Sequence, residues 1–593
     1  MATIHEALLI ALDHHRAGRL NDAATIYRRV LEADSGQPDA WQFLGVLHAQ
    51  SGRAATGRAM LHRAAALRPD GAGTHSNLAG VLQTLGESAA AEASYRRTLR
   101  LAPTLADAHA GRASALRALS RADMARDSAI RALALEPAHG EALANAADAL
   151  LACHQPDAAE AAARRALRMR PDLTAAWMTL GSALTMADRW EEAAPAYRTA
   201  LALDPRYGEA WENWAALLAK LGRFDESLAG FDRAEALRPS PLLWVTRGIA
   251  KMAMARPAEA LADFDRALES RPDDSGLRWN RGFARLLIGD YAGAWPEVEH
   301  RRADTRTELP WRSFPQPTWG GEDVAGRTLL LYAEQGFGDT LQFVRYAPLA
   351  AARGARVLLE VQPQLVRLLS GLPGVERVFG RGEPLPDFDL ECPLMSLPRA
   401  FATEPDSVPA APYLRPDPAL VRRWRDRIGD GEALKVGLVW AGNPRFPGDR
   451  LRSPRLEGMR AVLDVPGVRV FGLQAGPGRA DLEGADLPPG FTDLGPELTD
   501  FTDTAAIMAN LDLVISSCTA PAHLAGALGV PLWVVLPFSP DWRWLLDRED
   551  SPWYPTARLF RQTRVGDWAS VGRRVADALR RLRAERGACP SPP

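Results

Sequence analysis

Along the first three hundred residues, apolar positions recur with a helical period, in alanine- and leucine-rich runs separated by short polar turns. Proline follows those runs in register, at Pro69, Pro103, Pro137, Pro171, Pro205 and Pro239 with steps of 34 residues, and at Pro272 after a step of 33. The same register carries a large residue followed by a small pair, as in Trp41/Leu44/Gly45, Trp177/Leu180/Gly181, Trp211/Trp214/Ala215 and Trp244/Arg247/Gly248. This spacing predicts a helix, a tight turn and a second helix, stopped by a proline that cannot continue the hydrogen-bonded spiral.

The rhythm ends at Leu309 to Gly326, LPWRSFPQPTWGGEDVAG, which has no helical period and reads as a linker or docking segment. A different pattern follows. RTLLLYA (Arg327 to Ala333) is a buried-strand run, EQGFGD a loop, TLQFVRYAPLAAARG an amphipathic helix ended by Gly354, and ARVLLEV a second strand. Further strands are predicted at KVGLVWAG (Lys435 to Gly442), VRVFGLQ (Val468 to Gln474), LDLVISS (Leu511 to Ser517) and PLWVVLP (Pro531 to Pro537). Strand-helix alternation of this kind predicts two doubly wound parallel sheets, meeting near Pro412 to Gly431. The expected organisation is a repeat region over 1–303, a linker over 304–326, sheet domains over 327–425 and 426–567, a terminal helix over 568–586 and a tail over 587–593.

The 34-residue units resemble the tetratricopeptide repeat over about residues 5 to 300, as roughly eight units with imperfect first and last members. That resemblance implies an α superhelix, because a single helix pair cannot bury its apolar face alone and must stack on its neighbours. A concave surface of this type holds an extended peptide or another protein, or else serves self-association and spacing. Trp41, Trp177 and Trp211 are read as packing residues.

Length and composition narrow the classes. A chain of 593 residues exceeds a single core and must be modular. Its formal net charge of -2 carries none of the basic excess of a nucleic-acid binder. Lys220, Lys251 and Lys435 are its only lysines among many arginines. Cys153, Cys392, Cys518 and Cys589 lie far apart, so neither a disulfide framework nor a CxxC metal site is expected. The N-terminus lacks the basic start and cleavage site of a signal peptide, and no apolar run reaches the ~20 residues of a membrane span. A cytoplasmic protein is expected.

In open parallel sheets, ligands bind outside the carboxyl ends of strands. Those ends point to the loops Glu334 to Asp339, Ala441 to Ser453, Gln474 to Gly478 and Ser517 to His523. GFGDTLQ lacks the third glycine of a dinucleotide fingerprint and no Walker lysine follows, which excludes both nucleotide motifs.

YAEQGFGDTLQFVRY, GLVWAGNPRFPGDRLRS and DLVISSCTAPAHLAGALGVPLWVVLPFSPDWRWLLDREDSPWYPTARLFRQ resemble the glycosyltransferases related to bacterial heptosyltransferases, family 9, in the version fused to tetratricopeptide repeats. The resemblance covers about Arg327 to Leu582. It implies a GT-B fold, two Rossmann-like domains with a cleft between them, the first holding the acceptor and the second a nucleotide-sugar donor. It also implies an inverting transferase acting on a protein acceptor recruited by the repeats, with flagellin and a nonulosonic acid such as pseudaminic acid as a specific case. Transfer to a cell-envelope glycan, or a non-catalytic scaffold with a degenerate GT-B module, are the alternatives.

Glycosyl transfer needs a base for the acceptor hydroxyl and neutralisation of the departing phosphate. Asp339 matches the family's Gly-Asp motif, which implies the base; a helix cap is the other reading, and one residue can do both. Gly336 and Gly338 would let backbone approach a substrate. For the donor, Thr519 and Ala520 open a helix whose N–H groups suit a phosphate, and His523 lies one turn on, as a ligand or as a satisfied structural histidine. Asn443, Arg445, Arg450 and Arg452 follow a strand and suit a diphosphate or a carboxylated sugar, unless they only face water. Gln474 matches the family's Leu-Gln pair and either contacts the donor or caps a loop. Many relatives carry an acid at Cys518, which is read here as a buried thiol. Trp542, Trp544, Trp553 and Tyr554 are read mainly as interdomain packing. The helix Trp568 to Arg586 is expected to cross back over the first sheet domain, as in many GT-B proteins. With no DxD stretch and no ligand-spaced cluster, neither a metal nor a cofactor is expected; the nucleotide-sugar enters as substrate.

Overall fold

The computed structural model describes residues 3–303, 312–409, 412–444, 446 and 448–588. Among these, eighteen helices run from Ile4–Arg16 to Tyr291–Val298 before the first strand. They form nine pairs rather than the eight read from the prolines. The first pair ends at Ala33 with Ser35 where proline would fall, and the last is cut short at Val298. Full pairs alternate helices of 13 and 14 residues, for example Pro38–Gln50 and Ala54–Leu67.

Three devices repeat with the sequence period. The second helix stops one residue before proline, so that Leu67 is followed by Arg68 and Pro69. Where the residue six positions after that proline has a side-chain N–H, it caps the proline's freed carbonyl. Trp177 Nε1 donates to Pro171 O at 2.9 Å, Trp211 Nε1 to Pro205 O at 3.0 Å and Arg278 Nε to Pro272 O at 2.8 Å. Trp177 and Trp211 thus stay half-buried, with their N–H groups tied to a turn as well as their rings packed. The turn inside each pair needs one left-handed residue. Gly18, Gly52, Gly86, Gly222 and Gly289 supply it, but Ser120, His154, Asp188 and Ala255 take the same conformation, at φ of 56° to 57°. At the small-residue position an aromatic ring of the second helix leaves no room. A Cβ on Gly181 would lie 2.8 Å from the Tyr197 ring, and one on Gly248 2.5 Å from that of Phe264.

Two compact units divide at Leu217/Leu218, inside the helical run rather than at its end. In the first unit the middle repeats pack through alanine, with Ala110, Ala113, Ala129, Ala132, Ala142 and Ala146 all buried. In the second unit the last helices share a core with both sheets. Leu286, Tyr291, Trp295 and Val298 pack with Phe343, Trp542 and Trp553. Trp553 Nε1 donates to Tyr291 Oη at 2.9 Å, and Trp295 Nε1 to Thr403 O at 2.8 Å.

The first sheet holds β1 (Thr328–Tyr332), β2 (Arg356–Val361), β3 (Val375–Gly380) and β4 (Leu390–Pro393), all parallel, in the order β3-β2-β1-β4. The second holds β5 (Leu434–Val439), β6 (Val468–Gly472), β7 (Phe491–Asp493), β8 (Leu513–Ser517), β9 (Leu532–Leu536) and β10 (Ala557–Arg561), in the order β10-β9-β8-β5-β6-β7, again parallel. The linker reading is partly outside the described residues. Its described part docks on the first sheet, where Trp319 is buried, its backbone N–H donates to Glu391 O at 2.8 Å and Thr318 bridges Glu391 of β4.

The terminal helix, Trp568–Ala588, corrects one expectation: it stays on the second sheet. Trp568, Val571, Val575 and Leu579 form one apolar stripe and pack with Val436, Leu438, Met459 and Val462. A Cβ on Gly572 would lie 2.2 Å from Gly458 O, so the backbones are in close contact on that face.

Candidate functional site

Both sheets reverse strand order once, between β1 and β4 in the first and between β5 and β8 in the second. Such reversals open a crevice at the carboxyl edge. Of the four loops expected to carry chemistry, those after β1, β5 and β8 lie at these two points, and Gln474 to Gly478 follows β6 beside them.

After β1, Gly336 precedes the helix Phe337–Phe343, and the Gly336 N–H donates to Asp339 Oδ2 at 3.0 Å. The other Asp339 oxygen pairs with the Arg543 guanidinium. Arg543 is buried, gives its Nε–H to Gln342 Oε1, and holds Asp541 through Nη1 at 3.0 and 3.1 Å. Asp339, Arg543 and Asp541 therefore form one chain of charges between the two sheets. The Asp339 side chain keeps 23% of its surface open. Burial raises its pKa above the usual carboxylate range, while Arg543 pulls it down. Asp339 does cap its helix, and it retains a polarised carboxylate beside a fixed cation.

Gly338 is required for packing. A Cβ there would lie 2.8 Å from His523 Cδ2, where the helices Phe337–Phe343 and Ala520–Leu528 meet. Gly336 has a negative φ and its Cβ would meet nothing closer than 3.4 Å, so nothing local demands glycine. His523 is buried, with Nδ1 2.9 Å from Tyr554 Oη and its ring stacked on Trp544. Burial, with Arg543 and Arg345 nearby, drives its pKa well below the ordinary histidine value, and the ring is neutral.

At the second reversal, Thr519 is the residue before the helix Ala520–Leu528, and its hydroxyl donates to Ser517 O at 3.3 Å. Gly442, after β5, is close to it: a Cβ there would stand 3.1 Å from Thr519 Cγ2, 2.9 Å from Arg452 Nη2 and 2.5 Å from Asp449 Oδ1. Arg452 is pinned by Asp449 Oδ1 at 3.1 Å and lies over the Phe446 ring at 4.0 Å. Asn443 and Arg450 are exposed; Arg445 lies outside the described residues. Gln474 holds the loop together. Its Oε1 accepts from the Trp440 and Ala441 N–H groups at 3.1 and 2.9 Å, and its Nε2 donates to the Ala441 and Ala475 carbonyls. Cys518 is buried, accepts the Trp544 Nε1–H at 2.8 Å, and its thiol is pushed up to about 12 by burial. Among the described residues no three His, Cys, Asp or Glu side chains converge as a metal-ligand group.

Sequence reasoning missed Arg543, which sits between the tryptophans of PDWRW, and Asp541, which precedes them, because the segment reads as an aromatic cluster. It also missed Arg301. This fully buried arginine, just after the last repeat helix, donates to both oxygens of Glu334 at 2.8 and 3.1 Å and to Ser396 Oγ at 2.8 Å. The Met395 N–H donates to the same carboxylate at 3.2 Å. An Arg-Glu pair thus fixes the loop of the first reversal to the repeats.

Comparison with known proteins defines the first half of the molecule. Tetratricopeptide-repeat models match residues 14–72, 174–207 and 245–301. The chain therefore carries tetratricopeptide repeats, followed by a region of two parallel sheets. It is similar to Protein FlbA of Caulobacter vibrioides, at 30% identity over 366 residues, which is 56% of this chain. The match spans only 60% of the length of FlbA. Among solved structures it is similar to a tetratricopeptide repeat protein from Parabacteroides merdae, at 18% identity with TM-score 0.34, covering 42% of this chain and 98% of that one. Another is the tetratricopeptide-repeat protein TTC0263 of Thermus thermophilus, at 27% identity and TM-score 0.29, covering 31% of this chain and 100% of that one.

Proposed function

We propose that this protein is a GT-B glycosyltransferase that moves a sugar from a nucleotide-sugar to a protein acceptor held by its repeats. Flagellin, modified at a hydroxyl with a nonulosonic acid such as pseudaminic acid, is the specific case. The observation that carries this reading is the charge chain Asp339, Arg543, Asp541, which joins the loop after β1, at the first sheet's strand-order reversal, to the segment after β9 of the second sheet.

In this reading Asp339 takes the proton of the acceptor hydroxyl as its oxygen attacks the anomeric carbon. The bond from that carbon to the phosphate oxygen breaks, and the nucleotide leaves with the electron pair. Burial raises the basicity of Asp339, while the Arg543 guanidinium opposes that rise and holds the carboxylate in orientation. The N–H groups opening the helix Ala520–Leu528, with Arg452, suit the departing phosphate.

The test is transfer by the purified full chain from a panel of nucleotide-sugars to unmodified flagellin, read by intact mass. Asp339→Asn keeps an acceptor for the Gly336 N–H and removes the base, so transfer should fall by a hundredfold or more, on the order of general-base contributions. Undiminished transfer by that variant would remove the role given to Asp339. The second reading, a protein-binding scaffold whose sheet region does not catalyse, is favoured by the engagement of Asp339 with Arg543, and by Cys518 at the position where the resemblance implies an acid. Sugar transfer by the wild type excludes it.

A further inference from the structure

The carboxyl edge of the second sheet carries a cavity of about 310 Å³, and three of its wall residues, Ala219, Lys220 and Ala253, come from the repeats. Lys220 ends the helix Gly208–Lys220, and Ala253 ends the helix Pro241–Ala253. Opposite them stand Arg452, Cys518, Asp541 and Gln562. The repeat wall is attached to the sheet wall. Ser539 Oγ donates to Met252 O at 2.7 Å, the Phe224 and Phe538 rings lie 5.2 Å apart, and a Cβ on Gly222 would lie 3.1 Å from Val565 Cβ.

Gln562 gives the cavity its chemical sense. It is only 5% exposed, and its Oε1 accepts from the Phe538 and Gly566 N–H groups, both at 3.2 Å. Those two donors fix which end of the amide is oxygen, and they leave Nε2 buried and without a hydrogen-bond partner among the described residues, in a side chain that lines the cavity. A buried donor in this state costs stability unless a ligand takes it. The charges around it agree. Arg452, held by Asp449, and Lys220 bring two cations to a wall whose Asp541 carboxylate is held by Arg543.

Resting on the transferase reading above, we propose that this cavity binds an oxyanion of the nucleotide-sugar, with Lys220 and Gln562 as ligand contacts beside Arg452. The repeats then complete the donor site as well as holding the acceptor. The oxyanion is either a carboxylate on the sugar or a phosphate of the nucleotide.

The experiment is calorimetric titration of the full chain with CMP-activated N-acetylneuraminic acid, CMP and UDP-glucose, competed with free N-acetylneuraminic acid. Gln562→Glu keeps both backbone hydrogen bonds and puts an oxyanion where Nε2 stands. Lys220→Gln removes the repeat-borne charge, and Lys220→Arg restores it. We expect about a ten- to hundredfold weaker Kd for Gln562→Glu and Lys220→Gln, the size of a lost charge-assisted hydrogen bond, and recovery in Lys220→Arg. If the loss is seen for the carboxylated donor alone and free sugar acid competes, the oxyanion is the carboxylate; if it is seen equally for CMP, it is the phosphate. Wild-type donor binding with both variants within twofold overturns the inference and leaves the transferase reading standing. No binding of any nucleotide or nucleotide-sugar by the wild type removes both.

Discussion

Arg301→Met keeps most of the side-chain volume and removes the charge that holds Glu334. Arg301 has no exposed surface and the Glu334 side chain has 3%, so the variant leaves a carboxylate in a dry site with the Met395 N–H still donating to it. Removing one partner of a buried pair costs about 3–5 kcal/mol. That is roughly a hundredfold to a few thousandfold in the equilibrium for opening the local structure. Native-state hydrogen exchange of peptides covering β1 and β2 reads this directly, without assuming that a two-unit protein unfolds in one step. Arg356→Met is the control, because its pair with Glu376 is 62% and 49% exposed and such pairs contribute about 0–1 kcal/mol. The pH dependence has a definite sign. Burial raises the folded-state pKa of Glu334 and Arg301 pulls it down, so losing Arg301 raises it further. A carboxyl with a raised folded pKa favours folding while protonated and loses that contribution as pH rises through the folded pKa. The deficit of Arg301→Met must therefore be larger at pH 8 than at pH 5, and Arg301→Met/Glu334→Gln should recover part of it. A loss no greater than that of the control at neutral pH would refute the anchoring role of this pair.

Gly338→Ala drives a methyl to 2.8 Å from His523 Cδ2, whose ring is held by Tyr554 and Trp544; it should cost about 1–3 kcal/mol in urea unfolding, with Gly336→Ala near neutral. Equal effects at the two glycines would contradict the close helix approach. Trp177→Phe keeps the ring and loses the hydrogen bond to Pro171, so thermal and urea unfolding should show a loss of about 0.5–1.5 kcal/mol; no loss would show that the cap contributes nothing. Ala255→Gly relieves a left-handed alanine and should raise stability by up to about 1 kcal/mol, because the strain of about 1–2 kcal/mol outweighs the added chain entropy. A drop in stability would contradict the strain.

The repeats were legible because one period fixed several features at once, from proline stops to small residues under aromatic rings. The turn register was less so: Ser120, His154, Asp188 and Ala255 stand where glycine would have announced the turn. Strands with uninterrupted apolar runs, β1, β2, β5, β6, β8 and β9, were read directly. β3 was missed because Glu376 and Arg377 are exposed on it, β7 because it has three residues, and β4 and β10 because proline or charge flanks a short run. At the site, Asp339 was legible as an acid after a strand. Its partner Arg543 comes 204 positions later among tryptophans, and no local pattern joins residues so far apart. Gln562 and Lys220 were invisible for the same reason, since a cavity wall drawn from separate elements leaves no spacing to read.

The central claim is sugar transfer to a protein acceptor, and the intact mass of flagellin from cells with the gene, without it, and with an Asp339→Ala version tests it most directly. The account predicts the same mass decrement, equal to a whole number of sugar residues, in the deleted and Asp339→Ala cells. A flagellin mass unchanged by deletion would contradict the assignment of flagellin as acceptor and turn attention to cell-envelope glycans or to the scaffold reading.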